Sequence, residues 1–140
     1  MKAVCNRLGS GSMTKPTLSP EHAAMLVLDN HMAALNSRDE KALAETLHFP
    51  HYRLSAEGMR TWDSPDSYFK DFRARAGDGW HHSKWDFRAI IASGEHKVHL
   101  DVQFTRYRPD NTSLGSFRSL WVITYAQGNW AAALRSSFAK

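Results

Sequence analysis

The last third of the chain narrows the possible folds most. Three strand-like runs, Lys97 to Tyr107, Ser116 to Tyr125 and Asn129 to Phe138, follow one another with almost nothing between them. In the first, Val98, Leu100, Val102 and Phe104 alternate with His99, Asp101, Gln103 and Thr105, the period-two pattern of a strand with one buried face. The second sets Phe117, Trp121, Ile123 and Tyr125 against Leu120 and Val122, as a central strand covered on both faces would. Gly128-Asn129 turns the chain into the third. These runs predict a curved antiparallel sheet, and the front of the chain must supply its cover.

The front is helical. Ser19-Pro20-Glu21 combines a hydroxyl cap, a proline at the first helical position and an acid favoured by the helix dipole. The helix it starts is expected to reach about Asn36, with Met25, Leu28, Met32 and Leu35 on its apolar stripe and His31 on the flank. Asp39 caps a shorter helix expected over Lys41 to Leu47, which Pro50 stops. His51 to Ser55 and Met59 to Trp62 form a hairpin around Ala56-Glu57-Gly58. Asp63-Ser64-Pro65-Asp66 opens a third helix that buries Tyr68, Phe69 and Phe72, and Gly77-Asp78-Gly79 ends it. A strand around Trp85 to Ile91 leads through Ser93-Gly94 into the closing runs.

With 140 residues and 42% hydrophobic content, the chain has material for one core and not for two. Residues 17–140 are read as that single domain. Residues 1–16, with Gly9-Ser10-Gly11-Ser12-Met13, read as a flexible tail or upstream extension. The net charge of +4 is spread among acids, which argues for a solvated surface and against a nucleic-acid footprint. Cys5 has no partner for a disulfide. No apolar run is long enough to span a membrane or act as a signal segment, so the expected setting is the cytoplasm.

Eight histidines invite a metal, but their spacing does not support one. His48 and His51 straddle a helix end, His81 and His82 are adjacent, and His96 and His99 point to opposite faces of a strand. The sequence has no phosphate loop, nucleophile elbow or zinc-protease motif, and no cofactor is expected. What remains is a cavity. The first helix, laid across the sheet, would present His31 to a mostly apolar pocket walled by Leu100, Val102, Phe104, Trp121, Ile123, Leu134 and Phe138. His31 would be its acid, base or hydrogen-bond donor, and Arg106 would meet an anionic group at the mouth. The competing reading makes His31 a core histidine with satisfied hydrogen bonds and no ligand. Trp62, Trp85 and Tyr52 read as packing residues.

The element order, with His31-Met32-Ala33-Ala34-Leu35-Asn36-Ser37-Arg38-Asp39 closing the first helix, resembles the nuclear transport factor 2-like superfamily. That superfamily includes SnoaL-like polyketide cyclases and ketosteroid isomerase. The resemblance covers about Ser19 to Phe138. It implies an α+β fold: a cone-shaped barrel in which a curved, mixed, mostly antiparallel sheet wraps around three helices, usually as a homodimer. Carried over residue by residue, the isomerase's carbonyl-binding tyrosine falls at His31, its general base at about Ser55 and its second oxyanion donor at about Trp121. Serine cannot abstract a carbon-bound proton unaided, so the resemblance does not imply steroid isomerisation. It leaves open an isomerase, dehydratase or cyclase-like reaction using His31 on a small apolar or amphipathic molecule. The alternative is a non-catalytic dimeric interaction or ligand-carrier module. Its working surface would be the outer sheet face, with His99, Asp101, Gln103, Arg118, Leu120, Val122 and Arg135.

Overall fold

A computed structural model describes residues 18–76 and 79–139 of the chain. Three helices precede or interrupt six strands: α1 (Pro20–Ser37), α2 (Glu40–Glu45), β1 (Leu47–Ser55), β2 (Gly58–Trp62), α3 (Pro65–Ala76), β3 (His82–Ser93), β4 (Lys97–Tyr107), β5 (Ser113–Ala126) and β6 (Asn129–Ser137). The strands form one sheet in the order β2-β1-β6-β5-β4-β3. Every neighbouring pair is antiparallel except β1 with β6. The expected α+β class holds, but the sheet is open and not a closed barrel. The extension at residues 1–16 and the Gly77-Asp78 part of the α3 stop signal lie outside the described residues.

Local chemistry explains the helix ends. The Ser19 hydroxyl accepts from the His22 amide, and the Asp39 carboxylate accepts from the Ala42 amide. Arg38 takes the left-handed conformation that ends α1, with its amide bonded to the carbonyls of Ala34 and Leu35. The Asn36 amide group clasps the Ser83 backbone, accepting from its N–H and donating to its carbonyl, each at 2.8 Å. The Trp85 indole donates to the Leu28 carbonyl from β3. The Leu35-Asn36-Ser37-Arg38-Asp39 corner is thus a clamp that lays α1 across the inner face of the sheet.

Three local expectations are corrected. The buried face of α1 is centred on Ala24, Val27, Leu28, His31 and Ala34, while Met25, Met32 and Leu35 lie at its partly exposed margin. The small residues let the helix sit close to the sheet, and His31 is central where the stripe placed it on the flank. Leu47 belongs to β1, and Pro50 lies inside that strand. The β1–β6 register shifts between Leu47 and Tyr52, the kind of irregularity at which a strand tolerates proline. The β1–β2 hairpin turns at Gly58 with φ of 105°, and the β5–β6 turn uses Gln127 and Gly128, both also at positive φ.

Between α1 and the sheet, one end of the inner face is filled. Leu28, Val98, Leu100, Val102 and Ile123 are fully buried there with Ala132. Toward the other end, where α3 approaches, the filling changes and a cavity opens.

A cationic cavity beneath the first helix

Five strands of the sheet and two helices wall the cavity, which has a volume of about 50 Å³. Helix α1 contributes His31, Met32 and Leu35, and α3 contributes Tyr68 and Phe72. The sheet contributes Arg53 from β1, Trp85 from β3, Phe104 and Arg106 from β4, Ser119 and Trp121 from β5, and Arg135 and Ser137 from β6, with Ser83 at the start of β3. Arg53, Arg106 and Arg135 are only 3%, 9% and 7% exposed, and among the described residues no carboxylate side chain lines the cavity. The space holds a few water-sized groups, so a ligand must be small or enter by one end.

His31 is 4% exposed, and its protonation pattern follows from its neighbours. Thr46 sits at the C-cap of α2, and its carbonyl accepts from the Ala132 amide, which ties this corner to β6. Its hydroxyl donates to the Leu43 carbonyl at 2.7 Å, so its lone pairs accept from His31 Nδ1 at 2.9 Å. Nδ1 therefore carries the proton in the neutral ring, and Nε2 is left as the basic nitrogen. Burial first, then the charge of Arg135 and then His51, hold the His31 pKa well below its ordinary 6.5. The ring meets Trp121 edge to face at 5.0 Å.

Arg135 lies between two aromatic rings, 5.0 Å from the Trp121 centroid and 5.4 Å from that of Tyr68. It donates to the Tyr68 hydroxyl at 2.6 Å. Arg53 donates to the Ala139 carbonyl, and Arg106 lies over the rings of Phe104 and Phe117. The Trp121 indole N–H is buried with no hydrogen-bond acceptor among the described residues. Two other histidines are bonded to the backbone: His51 Nδ1 donates to the Ala132 carbonyl and His48 Nε2 to that of Thr124. No group of three or more His, Cys, Asp or Glu side chains among the described residues is arranged to hold a metal.

The residues expected at the site divide cleanly. His31, Phe104, Arg106 and Trp121 line the cavity. Leu100, Val102 and Ile123 face inward but are consumed by the packed end. Ser55 is displaced to the β1–β2 turn, where its hydroxyl accepts from the Glu57 amide, and Arg53 takes the inward position on β1. Leu134 and Phe138 face outward, 41% and 81% exposed. The reason is a bulge. Ile123 pairs with Ala132 and Val122 with Leu134, which leaves Ala133 as the extra residue and reverses the facing of everything after it. The same reversal turns Arg135, assigned to the outer face, into the cavity. Alternation alone cannot reveal Arg135 and Ser137, although the Ala131-Ala132-Ala133 run is where the period breaks.

No family model matches the sequence, and no curated protein matches it. Solved structures do. A protein of unknown function with a cystatin-like fold from Nostoc punctiforme superposes with a TM-score of 0.70 at 13% identity, covering 86% of this chain and 90% of that one. A nuclear transport factor 2-like protein from Cytophaga hutchinsonii gives 0.67 at 16% identity, covering 88% and 100%. A Novosphingobium aromaticivorans protein, provisionally described as an aromatic ring hydroxylase, gives 0.65 at 9% identity over 86% and 88%. The fold of this chain is therefore nuclear transport factor 2-like, the fold its helix corner and strand order resemble.

Proposed function

We propose that the chain binds a small organic molecule in the cavity and uses His31 as a general base on it. The observation that carries this reading is the fixed tautomer. Thr46 holds the proton on Nδ1, burial keeps the ring neutral, and Nε2 remains as the lone pair of a cavity-lining residue. A proton on a carbon beside a carbonyl would pass to Nε2. The C–H electron pair would form a carbon–carbon double bond as the carbonyl π pair moves onto oxygen, and the arginines and the Trp121 N–H would stabilise the charge that develops there. That chemistry suits an isomerase, dehydratase or cyclase. The enzyme description of one structural neighbour is in keeping with catalytic use of the fold. The arginines favour the amphipathic side of the expected apolar or amphipathic class.

Exchange in deuterium oxide tests the base without knowledge of the product. The purified chain is incubated with cyclohexanone, acetophenone and 3-benzoylpropionate, and loss of the α-hydrogen signal is followed by NMR. Exchange with at least one of them should slow about 10²- to 10⁴-fold in His31→Gln. Equal exchange in both proteins, or none in either, sinks the reading.

A second, compatible reading concerns the outer face. Tyr52, Leu134 and Val122 stand in one cross-strand row, flanked by Leu54 and Leu120, and all but Val122 are exposed. This supports a homodimer through the sheet. Sedimentation velocity should show a dimer that Leu120→Asp with Leu134→Asp converts to a monomer; a monomeric wild type excludes it. A module with a filled cavity is less favoured, because Arg135, which it needs outside, faces inward.

A further inference from the structure

His31 is the first member of a stack that runs from α1 to α3, and what the rest of the stack does for it is an inference that rests on the proposed use of the ring as a base. The His31 ring meets Trp121 edge to face, with centroids 5.0 Å apart. The Arg135 guanidinium lies against the same indole, 5.0 Å from its centroid, and 5.4 Å from the centroid of Tyr68. Both ends of this arginine are fixed. Its backbone is tied to that of Trp121 by the β5–β6 register, and its guanidinium donates to the Tyr68 hydroxyl at 2.6 Å. Tyr68 is itself only 1% exposed, held edge to face by Phe49, Trp62 and Phe69. A long, flexible side chain is thus kept in one place, and so is its charge.

That charge bears on the histidine. Burial lowers the His31 pKa most, and Arg135 follows, ahead of His51 on β1. Among the described residues, the other charged groups at the cavity are Arg53 on β1 and Arg106 on β4. Strands β3 and β5 bring the uncharged Trp85 and Trp121, and α2 brings the Thr46 hydroxyl. We propose that Tyr68 and Arg135 are positioning residues for His31: the Tyr68 hydroxyl pins the guanidinium against Trp121, and the pinned charge reserves the His31 lone pair for the substrate's proton. A proton taken from water would put a second cation in the empty site, facing Arg135 across one indole ring. A proton taken from a substrate leaves negative charge on the substrate's oxygen, which offsets that repulsion. Uptake from solvent is opposed, while uptake from the substrate is not.

Long-range proton–nitrogen NMR spectra of the full-length chain read the protonation of each imidazole directly, and His31→Gln identifies the His31 signal by its loss. At about pH 5 the protonated fraction of His31 should rise at least threefold in Arg135→Gln. Arg135→Lys keeps a charge at the position and should stay within about twofold of the wild type. Tyr68→Phe leaves the ring packing intact but frees the guanidinium to turn toward water, and should raise the fraction at least about twofold. If Arg135→Gln does not fold, as judged by circular dichroism, Tyr68→Phe decides. A His31 signal unchanged in the variants that fold overturns the proposal, as does an equal rise in Arg135→Lys and Arg135→Gln, which would make the arginine a packing residue only. With any compound that exchanges its α-hydrogen, the rate should begin to fall at a higher pH in Arg135→Gln than in the wild type. The spectra need no substrate, so failure of the base and failure of the positioning charge are separable.

Discussion

The inner face of the sheet has two ends, built by the same strands and covered by the same helix, that differ in nearly every other respect. At one end Val98, Leu100, Ile123 and Leu28 are fully buried in close contact. At the other, along the same strands, Arg106, Trp121 and Arg135 line a cavity with His31 above them. The packed end gains stability by close contact, while the hollow end buries charge, leaves the Trp121 N–H without an acceptor among the described residues and holds a histidine neutral. Polar burial of that kind is costly unless something completes it. The two regions meet at Trp121, which lines the cavity, belongs to the buried cluster and is the cross-strand partner of Leu100.

The sharpest way to break the comparison is a truncation at each end. Leu100→Ala should cost about 2–5 kcal/mol in urea unfolding, because its neighbours cannot collapse into the space left. Met32→Ala, on a wall residue facing existing space, should cost about 1 kcal/mol. Equal losses would mean that the hollow end is as tightly filled as the other.

Tyr68→Phe acts on the polar side alone. It removes the hydroxyl that accepts from Arg135 and leaves the ring in place, so about 1–3 kcal/mol should be lost.

Acid sharpens the contrast further. The His31 pKa is depressed in the folded state, by burial first and by Arg135 and His51 after it. As pH falls below about 6.5 the unfolded chain takes up the proton first, so the stability associated with neutral His31 is whole above that pH. It is lost progressively as pH falls toward the folded pKa. His31→Gln should flatten the stability curve below about pH 6.5, measured by urea midpoints at successive pH values. Thr46→Val should cost roughly 1 kcal/mol at neutral pH by leaving Nδ1–H without its acceptor. A Thr46→Val protein that also slows α-hydrogen exchange while still binding its ligand would mark Thr46 as a positioning residue.

Much of this architecture was legible in the chain. Ser19-Pro20, Asp39 and Ser64-Pro65 marked the helix starts because capping is a short-range interaction. The period-two pattern of β4 placed Leu100, Val102, Phe104 and Arg106 correctly because these residues keep one facing along the strand. His31 stood out as a polar residue on an apolar helix, but its central position followed from the alanines around it, which a stripe of large residues overlooks. Arg53 and Arg135 were hidden for a different reason. Hydrophobic patterning assigns arginine to solvent, and the burial of these two makes sense only in a tertiary cavity that no local window contains.

The smallest effect tests that hidden step. Beyond the bulge at Ala133, β6 presents Leu134 and Phe138 outward and Arg135 and Ser137 inward, the reverse of what unbroken alternation gives. Phe138→Ser should therefore change stability by less than about 0.5 kcal/mol despite the size of the side chain, as exposed positions do. If the alternation ran unbroken, the same change would remove a core phenylalanine and cost about 3–5 kcal/mol. Deleting Ala133 should then be far more damaging than deleting Phe138, because it alone swaps the two faces of the strand.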